Sequence, residues 1–414
     1  MLEFRCTPSD PSARALDIPA DPAAARGAAG ALARDLADGP STVAVDGLDG
    51  ARLAAVVEGL ALGAHRLSGG GPTVVELAGA DSDAGRSAVE RGRDAAAATL
   101  WARTLANTPA DTATPAWLAA QAERELAPLG VQVTVREPGW LAEHGFAGVL
   151  AVGGGSASPP RLIEASWQPS GARGDVHPIV VGKGITFDTG GVNRKVGEGM
   201  RTMHTDMAGG AAALAALRLV ASRRLPVRLT VLVPAAENAL SGSSYRPGDV
   251  IRHYGGRTSE IANTDAEGRI VLADALAYAA ARLHPSALVD IATLTGAVKV
   301  ALGLRTAGVF ATSDAVADGL VAAGAVTGEP LWRLPLPTEY ESTLQSSVAD
   351  ATNAPGNPGA ITAALFLRHF AGGVPWAHLD IAGTARAPAD DGLLSRGATG
   401  FGARLLADWV ESLA

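Results

Sequence analysis

Acidic and basic side chains gather in three short segments of the chain, VGKGITFDTGG, NRKVGEGMRTMHTDM and NTDAEGR. Together they supply four carboxylates, two lysines and one arginine: Lys183, Asp188, Lys195, Asp206, Asp265, Glu267 and Arg269. A ligand set rich in oxygen and free of histidine suits hard or borderline divalent cations, and four carboxylates are enough for two ions if some of them bridge. These segments therefore predict a two-metal site.

The lysines in these segments stand out because the chain has only three, Lys183, Lys195 and Lys299, among 34 basic residues. Arginine replaces lysine well where a cation only keeps a surface soluble, but not where a compact donor or a deprotonatable amine is needed. A lysine amine ligates a metal only when neutral, so its pKa must fall from about 10.4, and a neighbouring dication drives that shift. Lys183 and Lys195 are therefore predicted to do chemistry, whereas Lys299 is interpreted as a surface or interface residue.

Composition excludes several other classes of protein. The net charge of −8 argues against a non-specific nucleic-acid binder, which carries a basic stripe. No apolar run approaches the roughly 18 residues of a membrane span, and the first residues, MLEFRCTPSD, do not resemble a secretory signal, so we expect a cytoplasmic protein. A single cysteine, Cys6, rules out an intrachain disulfide and a thiolate zinc cluster.

The elements that must hold these residues alternate between strand and helix. Residues 1–98 predict a small N-terminal α/β domain with strands at 41–47 and 72–79, and residues 99–414 a larger catalytic domain whose first part, 99–130, includes a linker helix. In the larger domain we predict strands at 177–184, 227–238 and 287–296 and helices at 208–224 and 269–283. The fold class is therefore α/β, with a mostly parallel or mixed sheet covered by helices on both faces and a site beyond the carboxyl ends of its strands.

The turn NTDAEGR has a periodicity of its own. Asp265, Glu267 and Arg269 alternate with small residues, which in an extended turn puts all three side chains on one side, ahead of a helix that starts near Arg269. The simpler interpretation is a polar turn that caps this helix. The other acidic residues nearby, Asp249 and Asp274, are interpreted as turn and helix-surface residues.

These motifs resemble the cytosol (leucyl) aminopeptidase family. The resemblance rests on GKGITFDTGG with Lys183, on a second lysine twelve residues after Lys183, on an aspartate 23 residues after Lys183, and on NTDAEGR. It extends from about Leu105 through ATLTGA to WAHLDIAGTA. It implies a dinuclear metallo-aminopeptidase that cleaves the N-terminal peptide bond of peptides with a metal-bridging hydroxide. It also implies Zn²⁺ or Mn²⁺, with Mg²⁺ and Co²⁺ allowed, a bicarbonate ion, and a homohexamer.

The resemblance also assigns a role to each residue of the site. Lys183 and Asp206 would hold the tighter metal and Asp265 the more exchangeable one, and Asp188 and Glu267 would bridge both. Lys195 and Arg269 would be catalytic, the first as a cation that polarises the scissile carbonyl and the second as the holder of bicarbonate. The side-chain pocket, suited to an uncharged, aliphatic first residue, would be lined by Met203, Thr293, Leu294, Gly296, Ala382 and Ala385.

Two other functions remain open at this point. One is a non-catalytic relative that keeps the fold without turnover, against which the complete set of seven site residues argues. The other is a different two-metal hydrolase such as a phosphoesterase, although such sites usually use histidine ligands. The eight histidines here are scattered, H-E-x-x-H does not occur, and His204 and His378, near the motifs, are interpreted as structural.

Overall fold

A computed structural model describes residues 2–15, 17–36, 38–67 and 71–414 of the chain. The strands are β1 (Glu3–Thr7), β2 (Gly39–Ala44), β3 (Pro72–Ala78), β4 (Gln132–Arg136), β5 (Arg161–Trp167), β6 (Pro178–Gly182), β7 (Gly184–Asp188), β8 (Leu229–Asn238), β9 (Val250–Arg252), β10 (Thr258–Glu260), β11 (Ala287–Ala292), β12 (Ala307–Ala311), β13 (Leu331–Arg333), β14 (Ala351–Thr352), β15 (Trp376–Asp380), β16 (Arg386–Ala387) and β17 (Gly397–Ala398). The helices are α1 (Pro22–Asp35), α2 (Gly50–Ala64), α3 (Asp83–Asn107), α4 (Pro115–Leu126), α5 (Pro138–Glu143), α6 (Ala147–Gly153), α7 (Ala208–Ser222), α8 (Glu267–Tyr278), α9 (Gly296–Leu302), α10 (Asp314–Thr327), α11 (Gly359–Arg368) and α12 (Ala403–Glu411).

The N-terminal part is a small α/β unit, in agreement with the sequence prediction. Its three parallel strands lie in the order β1-β3-β2, and α1 and α2 begin at aspartate caps, Asp21 and Asp49, whose carboxylates accept backbone N–H bonds. Helix α3 then runs without interruption from residue 83 to residue 107, across the predicted boundary between residues 98 and 99. The division into domains at that point stays a prediction.

The larger part is built on a mixed sheet of nine strands, which confirms the predicted fold class. Eight of its strands lie in the order β13-β12-β15-β11-β6-β8-β5-β4, and β7 pairs with β8. The centre is parallel, from β15 through β11 and β6 to β8, whereas β12 joins β15, and β5 joins β8 and β4, in antiparallel pairs. The carboxyl ends of the central strands therefore meet at one edge, where the site is expected.

Helices cover both faces of this sheet because the side chains of its strands alternate. Val180 of β6 belongs to the apolar layer under α3, α4, α7, α10 and α12, and its neighbours Ile179 and Val181 belong to the layer under α6, α8 and α11. Glycines let α7 lie unusually close to the strands, since a Cβ on Gly209 would be 2.1 Å from the carbonyl oxygen of Ile291. None of the helices in the described ranges combines the length and apolar character that crossing a bilayer requires.

One residue predicted to lie on a helix surface is in the core instead. Asp274 of α8 is fully buried, and it accepts hydrogen bonds from the backbone N–H groups of Val149 and Tyr254, both at 3.0 Å, and contacts His253 Nδ1 at 2.9 Å. A carboxylate is tolerated there because it satisfies donors of two neighbouring segments. The helix-surface interpretation was wrong because sequence periodicity does not show which backbone donors need a partner.

Candidate metal centre

The residues singled out in the sequence converge at the carboxyl edge of the parallel strands. Lys183 follows β6 directly, and Asp188 ends β7, which runs beside β8. Asp206 lies in the 3₁₀ segment Glu198–Met207 that leads into α7. Glu267 is the first residue of α8, two residues earlier than the predicted start, so Glu267 and Arg269 are helical and only Asp265 lies in the turn.

Lys183 is the buried centre of one half of the cluster. Its Nζ lies 2.8 Å from Asp206 Oδ2, 2.9 Å from Asp206 Oδ1 and 2.7 Å from Glu267 Oε1, and it donates to the carbonyl oxygen of Thr293 at 3.1 Å. Burial alone would lower the pKa of Lys183, but the carboxylates of Asp206 and Glu267 outweigh it and raise that pKa above its usual range. The close packing extends to α8, because a Cβ on Gly268 would lie 2.7 Å from Lys183 Cε.

Lys195 occupies the other, more open half. Its Nζ lies 2.8 Å from Asp188 Oδ2 and also contacts Asp265 Oδ1, while 22% of its side chain stays exposed. Burial lowers the pKa of Lys195, but Asp188 and Glu267 more than compensate, so the pKa is raised and Lys195 remains an ammonium at neutral pH.

The donor set fits divalent cations. Ligand oxygens of Asp188, Asp265 and Glu267 all lie within 4.8 Å of one another, and Asp206 joins them through Lys183. The four carboxylates exceed the two ammonium groups by two formal charges. Burial, reinforced by the nearby carboxylate of Asp188, raises the pKa values of Glu267 and Asp265 above their usual range, which shows a local shortage of positive charge. Asp206 Oδ2 and Asp265 Oδ1 are buried and face the ammonium groups of Lys183 and Lys195, so both oxygens already lie beside a cation.

Arg269 lies deeper than the other predicted catalytic residue. It is buried on α8, its Nη1 donates to the carbonyl oxygen of Asn353 at 2.6 Å, and its buried Nε has no partner among the described residues. Burial lowers the pKa of Arg269 to about 10. Asn353 was not predicted: its Oδ1 accepts from the backbone of Ala262 at 2.8 Å and its Nδ2 donates to Asn263 at 2.8 Å, and an asparagine in a Pro- and Gly-rich loop gives no sequence signal for such contacts.

A cavity of about 430 Å³ opens above the cluster. All six residues predicted for the side-chain pocket line it: Met203, Thr293, Leu294, Gly296, Ala382 and Ala385. Lys299 was predicted to be a surface residue, and it is exposed, but it also lines this cavity, as does Arg386. His378 lies outside the cavity, fully buried and 2.5 Å from Asp290 Oδ1 through its Nδ1, in line with its structural interpretation.

Thr264 ties together the two loops that carry Lys195 and Asp265, and sequence analysis missed it. Its hydroxyl accepts from the backbone N–H of Asn193 at 2.8 Å and donates to the carbonyl oxygen of Gly190 at 2.7 Å, while its own N–H donates to Asn193 Oδ1 at 2.9 Å. Its carbonyl accepts from Asn238, which also donates to Asp188 at 2.7 Å. A threonine beside an aspartate reads as an ordinary turn residue, so only the fold reveals this link.

We expect Thr264→Val to loosen the Lys195 loop while the chain still folds. Valine has the same shape as threonine but leaves the Asn193 N–H and the Gly190 carbonyl unpaired, which costs about 1–3 kcal/mol. Trypsin should therefore cleave after Arg194, Lys195 or Arg201 at least about tenfold faster in this variant, read by mass spectrometry. Thr264→Ser, which keeps the hydroxyl, is the matched control; equal cleavage of the valine and serine variants would contradict the role of the hydroxyl.

Asp380, at the end of β15, organises the loop after β11 and was also missed. Its Oδ2 accepts from the Thr295 hydroxyl at 2.6 Å, and its Oδ1 accepts from the backbone N–H groups of Leu294 and Ala382, both at 3.2 Å. Thr295 in turn caps α9 by accepting from the N–H of Val298 at 3.2 Å. One buried carboxylate thus fixes two walls of the cavity.

The chain matches known proteins over most of its length. The family model described as "Cytosol aminopeptidase family, catalytic domain" matches residues 100–407. A "Probable cytosol aminopeptidase" of Syntrophotalea carbinolica is 47% identical over 327 residues, covering 78% of this chain and 65% of the relative, and one of Leifsonia xyli subsp. xyli is 44% identical over 383 residues, covering 87% and 76%. The chain thus spans about two thirds of the length of the first of these.

A solved structure extends the similarity to nearly the whole chain. The structure described as "Bottromycin maturation enzyme BotP in complex with Mn" superposes with a TM-score of 0.88 at 40% identity, covering 96% of this chain and 88% of that one. A second structure, described as "Bottromycin maturation enzyme BotP", gives a TM-score of 0.86 at 39% identity. Because the family model covers most of the chain and includes every residue of the carboxylate–lysine cluster, the chain belongs to the cytosol aminopeptidase family.

Proposed function

We propose that this protein is a metal-dependent aminopeptidase that hydrolyses the N-terminal peptide bond of peptides. The observation that carries the proposal is the convergence of four carboxylates and two lysines at the floor of one cavity. Family membership supports it, and so does the similarity to BotP, which has been solved in complex with manganese. We propose Zn²⁺ or Mn²⁺ as the ions, with Mg²⁺ or Co²⁺ compatible with the same ligands.

The residues that would hold two such ions are those of the cluster, namely Lys183, Asp188, Asp206, Asp265 and Glu267. Without an ion the carboxylates keep Lys183 protonated, so its amine would join the ligands only after a bound dication had displaced its proton. When bound, divalent ions would lower the pKa of a water molecule and polarise the substrate carbonyl. The protein's own contribution is to hold these five residues together before substrate arrives, four of them buried and Asp265 partly exposed, so that little reorganisation is needed. The free α-amine of a peptide would be able to ligate one of the ions, which would restrict cleavage to the N-terminus.

Two cationic residues would act on the reacting bond. Lys195 keeps its proton and lies at the open side of the cluster, so we assign it the stabilisation of the oxyanion that develops on the scissile carbonyl. Arg269 is not among the residues that line the cavity, so the proposal that it holds a bicarbonate ion, which would act as the general base, rests on the resemblance alone.

The walls of the cavity support a preference for uncharged, aliphatic first residues. Met203, Leu294, Ala382 and Ala385 offer apolar surface, and the small Ala385 leaves room for a long side chain. From the resemblance we further propose a cytoplasmic homohexamer. From the alternation of strands and helices in the sequence we propose a small domain at residues 1–98 and a catalytic domain at residues 99–414.

The proposal is tested with leucine p-nitroanilide before and after exhaustive dialysis against a chelator. We expect hydrolysis that is abolished by chelation and restored by Mn²⁺ or Zn²⁺, because the proposed reaction needs divalent ions to activate water and polarise the carbonyl. A phosphate-ester panel run in parallel tests the two-metal phosphoesterase. Hydrolysis that survives metal removal would contradict metal catalysis, and a metal-loaded protein inert toward all anilides would favour the non-catalytic relative.

A further inference from the structure

Two positively charged side chains that do not belong to the metal cluster also line the cavity, Lys299 of α9 and Arg386 of β16. All acidic residues that line the cavity belong to the cluster at its floor; the rest of the lining within the described residues is neutral apart from these two side chains. The loop that leads into β16 packs against α9, because a Cβ on Gly383 would lie 3.6 Å from Lys299 Cα. Among the described residues, the charged side chains that line the cavity outside the cluster are therefore all positive.

Neither cation is neutralised by an ion pair with a carboxylate in the described part of the chain. Arg386 donates to the hydroxyl of Thr205 at 3.3 Å, and no salt bridge joins it or Lys299 to an acidic residue described in the structure. The acidic residues that follow Arg386 in sequence pair with other arginines: Asp390 with Arg34 at 3.3 Å, and Asp391 with Arg305. The positive field of Lys299 and Arg386 thus remains available to a ligand in the cavity.

The surroundings of Arg386 add positive charge. The pKa of Arg386 is lowered by burial and, to a smaller extent, by the charge of the nearby Arg396. The pKa of His204 is lowered by burial and by the charge of Arg386. The net charge of the protein is −8, so this positive patch is a local feature rather than a reflection of composition.

We propose that Lys299 and Arg386 form a charge filter that sorts charged first residues by sign, accepting peptides that begin with glutamate and rejecting peptides that begin with lysine or arginine. The inference rests on the proposed aminopeptidase function. A glutamate side chain would bring a carboxylate into the positive field of Lys299 and Arg386, which is favourable, whereas a lysine side chain would bring a like charge. A leucine side chain would be indifferent to that field.

The experiment compares kcat/KM for the p-nitroanilides of leucine, glutamate and lysine. We expect the wild-type protein to prefer glutamate over lysine, and Lys299→Met and Arg386→Leu each to reduce that ratio about fivefold. Arg282→Gln, which removes an exposed cation outside the cavity, is the matched control and should leave the ratio unchanged. The wild-type ratio should also fall toward one as NaCl is raised to roughly 0.5 M, because salt screens exposed charges.

A binding measurement separates the filter from the proposed function. In titrations of the metal-loaded protein, the wild type should bind the glutamyl hydroxamate more tightly than the lysyl hydroxamate, whether or not the protein turns over anilides. Lys299→Met and Arg386→Leu should each reduce this difference in affinity. If the protein hydrolyses the leucine anilide but neither variant changes the glutamate-to-lysine ratio of kcat/KM, the charge filter is overturned and the proposed function stands. Absence of any hydrolysis overturns the proposed function, and equal binding of the two hydroxamates then overturns the filter as well.

Discussion

Replacing Lys195 by arginine is expected to lower kcat by about 10²–10³-fold while the protein folds and binds metal normally. The ammonium lies 2.8 Å from Asp188 and contacts Asp265, and these carboxylates keep it protonated. A planar guanidinium is broader than this site and cannot place one compact donor at the same point. Loss of one well-placed oxyanion donor costs a factor of this size.

The measurement is steady-state kinetics on leucine p-nitroanilide, with metal content by elemental analysis and folding by circular dichroism. Arg194→Lys, an exchange of the same two residue types at the exposed neighbouring position, serves as the control. We expect the loss in kcat rather than in KM, because the donor acts on charge that develops only in the transition state. Near-normal turnover of the Lys195→Arg variant would remove Lys195 from the reaction.

The sheet could be predicted from sequence because its strands are buried on both faces. HPIVVGKG and VRLTVLVPAAEN are continuous apolar runs, and the Gly- and Ala-rich face of residues 208–224 marks a helix that lies close to a sheet. The predicted strand at 177–184 corresponds to β6, whereas β7 (Gly184–Asp188) was not predicted, since a short strand directly after a break at Lys183 leaves no signal in periodicity. Strand β1 was missed because Glu3–Thr7 alternates weakly and is stabilised by its pairing with β3, a contact far away in sequence.

The site residues could be predicted where their chemistry is unusual for their surroundings. A lysine in a chain that otherwise uses arginine, or three charged groups within seven residues, is visible without a structure. Residues that act through others are not visible: Thr264, Asn353 and Asp380 have ordinary polar types, and their importance comes from donors and acceptors about 70 to 90 residues away. The exposed Lys299 was judged by its type alone, and only the cavity shows what it faces.

Glu267→Gln should have opposite effects on stability with and without metal. Burial and the neighbouring Asp188 hold the pKa of Glu267 above its value in an unfolded chain, so the charged carboxylate opposes folding at every pH above its unfolded pKa. Glutamine removes that charge and keeps the shape. In a chelator, the thermal midpoint of the variant should therefore equal or exceed that of the wild type, even though Lys183 loses an ionic partner at 2.7 Å.

With saturating Mn²⁺ the order should reverse, because a carboxylate that bridges two ions is replaced by a neutral amide. We expect the variant to bind fewer than the wild-type number of ions per chain, to gain little thermal stability from metal, and to lose at least about 100-fold in kcat. Glu143→Gln, which neutralises an exposed glutamate on α5, should follow the wild type in both conditions. If Glu267→Gln bound as many ions per chain as the wild type, Glu267 would not bridge the two ions. The burial of its carboxylate, in spite of the raised pKa, would then have to be explained by the ion pair with Lys183 alone.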